Sequence, residues 1–245
     1  MSQIKAALTH QLFKPSIFGF FINPFFWGRS AIYLSVKKFS NHISGKTLDV
    51  GSGSKPYKHL FKNVTDYIGM DIEQSGHKHQ TSNIDVYYDG KTFPFENSSI
   101  DSLVFFEVLE HVFNPDEFLS EISRVVKPGG KCVVTIPFIW GEHEQPYDFA
   151  RYSSFGLKHL FSKHGLDVVE HKKYLSDFRL IFLMINSYIY SFFKSLLPGI
   201  SAWIFILPLS FIGNLLGLFF YILPKNDDFY FGNIYVLKNI KSSNP

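Results

Sequence analysis

Short apolar runs of strand length alternate with amphipathic segments through the first part of the chain. Five such runs end, in order, near residues 50, 71, 88, 106 and 138. Residues 31–43 and 115–126 instead carry apolar side chains at helical spacing, which predicts helices with one buried face. Strands that alternate with helices predict a parallel sheet covered by helices on both of its faces. A short helix is also predicted over 55–61, and Lys-Pro-Gly-Gly at 127–130 is expected to end the helix before the fifth strand.

One more helix and two more strands complete this pattern. Residues 154–164 predict a helix, and residues 166–174 predict a sixth strand after Gly165. The run that begins at Phe229 predicts a seventh and last strand. We expect strands six and seven to be neighbours in the sheet.

A long apolar stretch separates strands six and seven. Between Arg179 and Lys225 the only charged residue is Lys194. Residues 180–197 and 200–223 predict the two arms of a hydrophobic helical hairpin, and its length suffices to enter a bilayer. Because both ends return to the sheet, the hairpin must cross a membrane an even number of times or not at all. A shallow re-entrant or interfacial hairpin is favoured, since Lys194 then stays near headgroups; the alternative is a soluble dimer core.

Phenylalanine is concentrated near the start of the chain. Residues 12–27 are rich in Phe but broken by Pro15 and Pro24, so they are too short to span a bilayer. They predict either an interfacial segment or a helix packed on the domain's own sheet. The predicted organisation is an aromatic, membrane-proximal segment over 1–40, a catalytic domain over 41–178 and 225–245, and the hydrophobic insert over 179–224.

Composition adds a membrane surface to the candidate partners. The chain of 245 residues has 18% aromatic residues and a formal charge of +3, without a basic run. Nucleic acid is therefore disfavoured, and an anionic lipid surface suits the charge better. A single cysteine excludes an internal disulfide and fits a reducing compartment. The first residues lack the apolar core of a signal peptide, which predicts a cytosolic start.

A glycine-rich turn follows the first strand, in the sequence LDVGSGSKPY from Leu48 to Tyr57. A strand that stops at Gly51-Ser52-Gly53 and continues into a helix would leave backbone N–H groups for a nucleotide-type ligand. Pro56 stands where a dinucleotide fingerprint needs its third glycine, which argues against NAD. Asp71 ends the second strand about 20 residues further on, where a carboxylate can accept hydrogen bonds from both ribose hydroxyls.

These motifs resemble the class I S-adenosylmethionine-dependent methyltransferases. The resemblance runs from Leu48 to Phe138 through Asp49, the two glycines, Phe93-Pro94-Phe95 and residues 107–111. It implies a Rossmann-like fold with a seven-stranded, mostly parallel sheet whose last strand is antiparallel. It implies S-adenosylmethionine as cofactor, with the adenine near Asp89 and Gly90 and the methionine part near Phe106 and Glu107. The complete candidate set for the cofactor is Asp49, Gly51, Ser52, Gly53, Asp71, Ile72, Asp89, Gly90, Phe106 and Glu107.

The acceptor is expected at the loop that follows the fifth strand. His143 is the first candidate for a general base, because a neutral imidazole can take a hydroxyl proton near pH 7. Glu144 and Asp148 are alternatives, and His111 either reaches the acceptor or caps a helix. Arg151 pairs either with a phosphate or carboxylate of the acceptor or with Asp148 as an i,i+3 brace. The candidate substrate-binding residues are Glu144, Tyr147, Arg151 and Tyr152.

No metal site is predicted. His77 and His79 lack a nearby acid or cysteine at ligand spacing, which favours a solvated loop.

The predicted function is methyl transfer from S-adenosylmethionine to an amphiphilic acceptor at the cytosolic membrane face. A lipid, a quinone-like ring and a lipid-linked glycan all fit, and the KPY sequence with the insert suggests bacterial glycan or lipid assembly. Two alternatives stay open. One is a non-catalytic module that keeps the fold and docks on a membrane partner, and the other is a soluble small-molecule methyltransferase that dimerises through the insert.

Overall fold

The computed structural model describes residues 11–73 and 83–241, and these fall into two compact units. The sheet unit comprises the described residues of 36–172 and 232–241, and the hairpin unit comprises residues 11–35 and 173–231. His77 and His79, and the first ten residues of the predicted aromatic segment, lie outside the described residues.

The sheet has seven strands in the order β3-β2-β1-β4-β5-β7-β6. The strands are β1 Ser44–Val50, β2 Asn63–Ile72, β3 Val86–Tyr88, β4 Ile100–Phe106, β5 Val126–Pro137, β6 Leu166–Tyr174 and β7 Gly232–Asn239. The helices are α1 Ile17–Ile22, α2 Phe26–Phe39, α3 Pro115–Val125, α4 Ser154–Lys163, α5 Arg179–Leu196 and α6 Ser201–Phe219. β1 to β5 pair in parallel and β7 runs antiparallel to β5, so the predicted sheet with an antiparallel last strand is confirmed.

The central strands carry the core of the sheet unit. The last four residues of β1 and most of β4 and β5 are buried, and they read as nearly continuous apolar runs. Parallel strands covered by helices need such runs because both of their faces exclude water. This order places the carboxyl ends of β1 and β4 side by side, where open α/β sheets bind their ligands.

Two local predictions in the sheet unit are wrong. No α-helix forms over 55–61, where a single 3₁₀ turn spans Lys58–Leu60. The Lys-Pro-Gly-Gly sequence does not separate α3 from the fifth strand, because β5 already begins at Val126, which pairs with Ile100. The register then shifts so that Ser102 pairs with Lys131, and residues 127–130 form a bulge with Gly129 at a φ of +80°.

The hairpin unit pairs the predicted hairpin with the aromatic segment. Helix α1 packs on α6, with Phe20 edge-on to Phe211 and Phe21 stacked on the same ring. Neither prediction for the segment named this partner, and the predicted contact with a membrane surface stays a prediction. The contact is long-range in sequence, so no local pattern could indicate it.

Small and polar residues line the seam inside the hairpin unit. Asn186 of α5 is fully buried, and its amide nitrogen donates to the Ser210 carbonyl oxygen at 3.2 Å and to Asn214 Oδ1 at 3.1 Å. Asn214 in turn donates to the carbonyl oxygens of Phe20 and Asn23. A Cβ on Gly213 would lie 2.9 Å from Asn186 Cγ, so the two helices approach as closely as glycine allows.

The outer surface of the same helices is apolar. Ile181, Tyr188, Ile204 and Phe219 are at least half exposed, and other large apolar side chains on both helices are similar. One helical segment in the described part of the chain, Ser201–Ile222, is long and apolar enough to cross a membrane by length and composition, with a mean hydropathy of 2.0. Pro208 lies inside α6, which stays helical through it.

Candidate functional site

The glycine turn after β1 is held by the neighbouring strand. The N–H groups of Gly51 and Ser52 both donate to the Met70 carbonyl oxygen, at 2.9 and 3.1 Å. Gly51 has a φ of +68°, and a Cβ there would lie 2.5 Å from Val108 Cγ2, so only glycine fits. These two N–H groups serve the turn, which corrects the expectation that the start of a helix would present them to a ligand.

Asp71 and Gly53 meet at the open side of the turn. Asp71 Oδ2 accepts the Gly53 N–H at 3.0 Å, and Asp71 Oδ1 accepts the Ile72 N–H at 2.9 Å. A Cβ on Gly53 would meet nothing within 4 Å among the described atoms, which leaves space beside the carboxylate. Each carboxylate oxygen can accept a further hydrogen bond, so Asp71 is fixed where it can receive a ligand's two neighbouring hydroxyls.

Asp49 is buried beneath the turn. Tyr67 on β2 donates its hydroxyl to Asp49 Oδ2 at 2.6 Å. Burial raises the pKa of Asp49 to about 7, the hydrogen bond from Tyr67 opposes the rise, and the Asp71 carboxylate adds to it. Burial likewise raises the pKa of Tyr67. The sequence identified Asp49 but not Tyr67, because strand pairing brings the tyrosine to the site.

We expect Asp49→Asn to stabilise the protein at pH 8 and to leave its stability nearly unchanged at pH 4. Between these values the folded native chain holds a proton that the unfolded chain releases, so native stability falls as pH rises from about 4 to about 7. At about 1.4 kcal/mol per pKa unit, the difference is on the order of 4 kcal/mol at most. Denaturant unfolding of both chains from pH 4 to pH 8 measures it. An equal difference at every pH would contradict the raised pKa.

Lys55 and Asp85 form a further part of the site that the sequence did not indicate. The Lys55 side chain is buried, and its ammonium pairs with Asp85 Oδ2. Asp85 also accepts the Gly69 N–H at 2.7 Å. Burial alone would raise the pKa of the Asp85 carboxyl, but the hydrogen bonds from Lys55 and from the Gly69 N–H lower it. A Cβ on Gly69 would lie 2.6 Å from Ser52 Oγ and closer still to the lysine chain. Gly69 therefore makes room for the ion pair.

Asp89 and Gly90 form a tight turn after β3. Asp89 Oδ1 accepts the N–H groups of Lys91 and Thr92, both at 2.9 Å, and these bonds lower the pKa of Asp89. Gly90 has a φ of +80°. The carboxylate thus shapes its own turn, and the predicted contact with adenine stays a prediction.

Phe106 and Glu107 lie where β4 ends. The Phe106 ring meets Tyr57 edge-on, with centroids 5.2 Å apart, and is parallel to the Phe61 ring at 6.3 Å. Glu107 has a φ of +56°, and its N–H donates to the Thr135 carbonyl oxygen at 3.0 Å. A non-glycine residue in the left-handed region is strained, and such strain is concentrated at functional sites. It marks the end of β4 as part of the site.

The loop after β5 gathers the predicted acceptor residues. Asp148 is the centre of this group: its Oδ2 accepts the His143 backbone N–H at 2.9 Å and lies 3.2 Å from His143 Nδ1. Arg151 binds both carboxylate oxygens through its two terminal nitrogens, so the predicted brace exists, although it lies in the loop before α4. Burial alone would raise the pKa of Asp148, but Arg151 and the His143 N–H lower it to about 2.

His111 reaches this group from the 3₁₀ turn Leu109–His111 after β4. Its Nε2 lies 3.2 Å from His143 Nε2, and its Nδ1 lies 2.7 Å from the Tyr147 carbonyl oxygen. Glu144 Oε1 is 4.0 Å from His111 Nε2. Burial and His111 lower the pKa of His143. Tyr152 is half-buried, and burial raises the pKa of its hydroxyl.

Glu110 was not predicted, although it lies next to His111. It is fully buried, and neither carboxylate oxygen has a hydrogen-bond partner among residues 11–73 and 83–241. Burial raises the pKa of Glu110 well above its usual range, and the Glu107 charge adds to this. Its backbone oxygen accepts the N–H groups of Phe149 and Ala150. The sequence signal available for Glu110 was its position next to a histidine in EVLEHV.

Comparison with known proteins finds similarity over the part of the chain that holds this site. Residues 48–134 match the family model described as a methyltransferase domain. A protein of Mycolicibacterium smegmatis, named "Probable S-adenosylmethionine-dependent methyltransferase", is 27% identical over 107 residues. The match covers 41% of this chain and 42% of that protein, so the chain spans about two fifths of the length of this curated relative.

Solved structures share the fold at low sequence identity. Phosphoethanolamine N-methyltransferase 2 of Haemonchus contortus, solved with S-adenosyl-L-methionine, is 17% identical with a TM-score of 0.53, and the match covers 98% of this chain and 61% of that one. The [4+2]-cyclase SpnF is 17% identical with a TM-score of 0.55, over 87% of this chain and 82% of that one. The same fold therefore carries different reactions, and the reaction must be argued from the site.

The family match begins at the first strand and ends within the fifth, and so contains the glycine turn, Asp71 and the end of β4. Outside the matched residues, β7 lies next to β5 in the sheet and runs antiparallel to it. Residues 48–134 are thus similar to a methyltransferase domain, and they lie within a sheet that has the Rossmann-like fold of the class I, S-adenosylmethionine-dependent methyltransferases.

Proposed function

We propose that this protein transfers a methyl group from S-adenosylmethionine to an amphiphilic acceptor at the cytosolic face of a membrane. The observation that carries the proposal is the Asp71 carboxylate, which is held by the Gly53 and Ile72 N–H groups beside the open side of the glycine turn. A carboxylate in this place suits a ribose, whose two hydroxyls are donors at neighbouring carbons.

The residues present fit this cofactor. The glycine turn of residues 51–53 makes room for it, Asp71 would hold its ribose, and the turn of Asp89 and Gly90 would border its base. Phe106 and Glu107, at the end of the neighbouring strand β4, would border its amino acid part. The cofactor supplies an electrophilic methyl group on a sulfonium, so alignment and exclusion of water are the main tasks left to the protein.

Acceptor activation is assigned to the cluster of His111, His143 and Asp148. The cluster follows the carboxyl ends of β4 and β5, next in the sheet to the strand that carries the glycine turn. Asp148 accepts the His143 backbone N–H and lies beside Nδ1 of the ring, which leaves Nε2 as the nitrogen assigned to proton transfer. Arg151 keeps Asp148 ionised and in place, and this supports a positioning role for the arginine more than a contact with the acceptor.

The hairpin unit supports the membrane part of the proposal. Its buried seam combines polar and small residues with apolar ones such as Leu183 and Ile206. Its outer surface is apolar, which is unlike the outer surface of a soluble helical hairpin. Close packing at glycine and hydrogen bonds between asparagines are typical of helices that associate within lipid. Arg179 lies over the rings of Trp27 and Tyr221 at one end of the helices, as amphipathic side chains do at headgroup level.

The test is a labelling reaction with the full-length protein. Methyl-labelled S-adenosylmethionine is incubated with the protein and a total bacterial lipid extract, and label is then counted in the organic and aqueous phases. We expect label in the organic phase, and we expect the protein to float with liposomes of anionic phospholipid. The matched control for flotation is the same protein with liposomes of neutral lipid, which should bind less of it.

Other results would favour the alternatives. Label only in small aqueous products, with no flotation, would indicate a soluble enzyme that dimerises through its apolar helices. Flotation and cofactor binding without label in any acceptor would indicate a non-catalytic docking module. Absence of cofactor binding would refute the proposed activity.

A further inference from the structure

We propose that Glu110, His111 and His143 form a binding site for a divalent transition-metal ion, with Zn²⁺ as the best fit. One ligand atom from each residue lies within 4.8 Å of the other two. This inference deepens the proposed function at its acceptor end. Metal binding itself can be measured without cofactor or acceptor, so it stands or falls independently of methyl transfer.

The nearest neighbours of the two histidines favour one tautomer for each ring. His111 Nδ1 lies 2.7 Å from the Tyr147 carbonyl oxygen, which can only accept, so the proton of the neutral ring is on Nδ1. His143 Nδ1 lies 3.2 Å from Asp148 Oδ2 and 3.3 Å from the Gly141 carbonyl oxygen, two acceptors that are nearer than the donor Arg151 Nη2 at 3.4 Å. In both neutral rings, Nε2 therefore carries a lone pair and no proton.

The two Nε2 atoms lie close together. His111 Nε2 and His143 Nε2 are 3.2 Å apart, which is unfavourable for two acceptors unless a cation lies between them. Two nitrogens bound to one tetrahedral zinc at its usual bond length are about 3.3 Å apart. The histidine pair thus already has the separation that zinc requires.

Glu110 gives the second, independent indication. Its side chain is completely buried, and neither of its oxygens has a hydrogen-bond partner within the described residues. An isolated buried carboxylate is costly, and binding to a metal is one of the ways proteins compensate for it. Glu110 Oε1 lies 3.8 Å from His111 Nε2, and all three ligand atoms lie within 4.8 Å of one another, so metal binding requires them to draw together by about 1.5 Å at most.

The surroundings match those of known metal ligands. Histidines that bind metals commonly donate their other ring N–H to a carbonyl or a carboxylate, which fixes the ring. Tyr147 and Asp148 supply one of each. Two histidines and one glutamate leave a fourth position for water or an acceptor oxygen, as in catalytic zinc sites. Because His143 Nε2 cannot both bind a metal and accept a proton, zinc would replace the predicted general base as the group that activates a hydroxyl.

The experiment is calorimetric titration of full-length, chelator-treated protein with zinc chloride. We expect saturable binding of one zinc per chain. Glu110→Gln should weaken it at least tenfold, His111→Ala should abolish it, and Asp148→Asn should weaken it about 10- to 100-fold, because the carboxylate beside His143 Nδ1 is lost. His159→Ala removes an exposed histidine elsewhere in the same unit and should bind zinc as the native chain does.

Thermal unfolding separates loss of the site from loss of the fold. Without zinc, Glu110→Gln should unfold near the native temperature, since it replaces a buried carboxyl group that lacks a hydrogen-bond partner within the described residues and keeps the size of the side chain. At the same zinc concentration, the unfolding temperature of the native chain should rise more than that of Glu110→Gln. A native chain that binds no zinc, or a Glu110→Gln chain that binds it equally well, would overturn the proposal and leave a proton shared by the two imidazoles.

Discussion

Replacing Asp71 with alanine is expected to weaken S-adenosylmethionine binding by two orders of magnitude or more. The carboxylate would accept hydrogen bonds from two ribose hydroxyls, and bonds to a charged group contribute about 1.5–3 kcal/mol each. Because about 1.4 kcal/mol is a factor of ten in affinity, two such bonds account for at least a hundredfold. The Gly53 N–H also loses its acceptor, so the turn is less well ordered. Calorimetric titration of both full-length chains with S-adenosylmethionine measures the loss.

Asp66 provides the matched control for this experiment. It lies on the same strand as Asp71 but is exposed and belongs to the half of β2 that precedes the buried residues. Asp66→Ala should bind the cofactor as the native chain does. If Asp71→Ala also bound with native affinity, the ribose would have to lie elsewhere and the assignment of the glycine turn would be wrong.

Gly213→Ala is expected to destabilise the hairpin unit by about 2–5 kcal/mol. The new Cβ would overlap the Asn186 side chain, which is fully buried and bonded to the Ser210 carbonyl oxygen and to Asn214. Overpacking costs about 1–3 kcal/mol, and a buried amide that loses its partners costs a similar amount. The direction of the change in stability is informative, because alanine in place of glycine would stabilise an isolated helix by about 1 kcal/mol. Denaturant unfolding in mild detergent, followed by the fluorescence of Trp27 and Trp203, measures the change.

The adjacent residue supplies the comparison for Gly213. Ile212 is half exposed on the apolar outer surface, and Ile212→Ala should change the stability in detergent by about 0.5 kcal/mol or less. A stable Gly213→Ala chain would mean that the asparagine seam can open without cost. The polar contacts in the seam would then no longer support association of the two helices within lipid.

The fold was predictable because its signals are local. Alternating strands and helices predicted the parallel sheet, and the order of acid, glycine and second acid was enough to select Asp49, Gly51 and Asp71 as candidates. The apolar hairpin was evident from its missing charges. The glycine turn was correctly placed, but the helix expected after it was not found, because residues 55–61 form only a 3₁₀ turn.

The parts that could not be predicted depend on contacts between distant segments. Lys55 pairs with Asp85, Tyr67 with Asp49, and His111 with His143, and in each case the partner comes from another strand or loop. Burial of Glu110 without a partner among the described residues is likewise a property of the folded chain. A sequence shows which side chains carry chemistry, but pairing and desolvation decide what each of them can do.

A backbone hydrogen bond joins the two ends of the segment that connects β6 to β7. The Phe231 N–H donates to the carbonyl oxygen of Tyr174, the last residue of β6, at 3.2 Å, directly before β7 begins at Gly232. A segment that leaves and rejoins the sheet at neighbouring residues can vary in length at little cost in free energy, since the entropic cost of closing a loop grows slowly with its length. A shorter, longer or more polar segment could therefore replace this one between the same two residues during evolution, and the register of the sheet would stay the same.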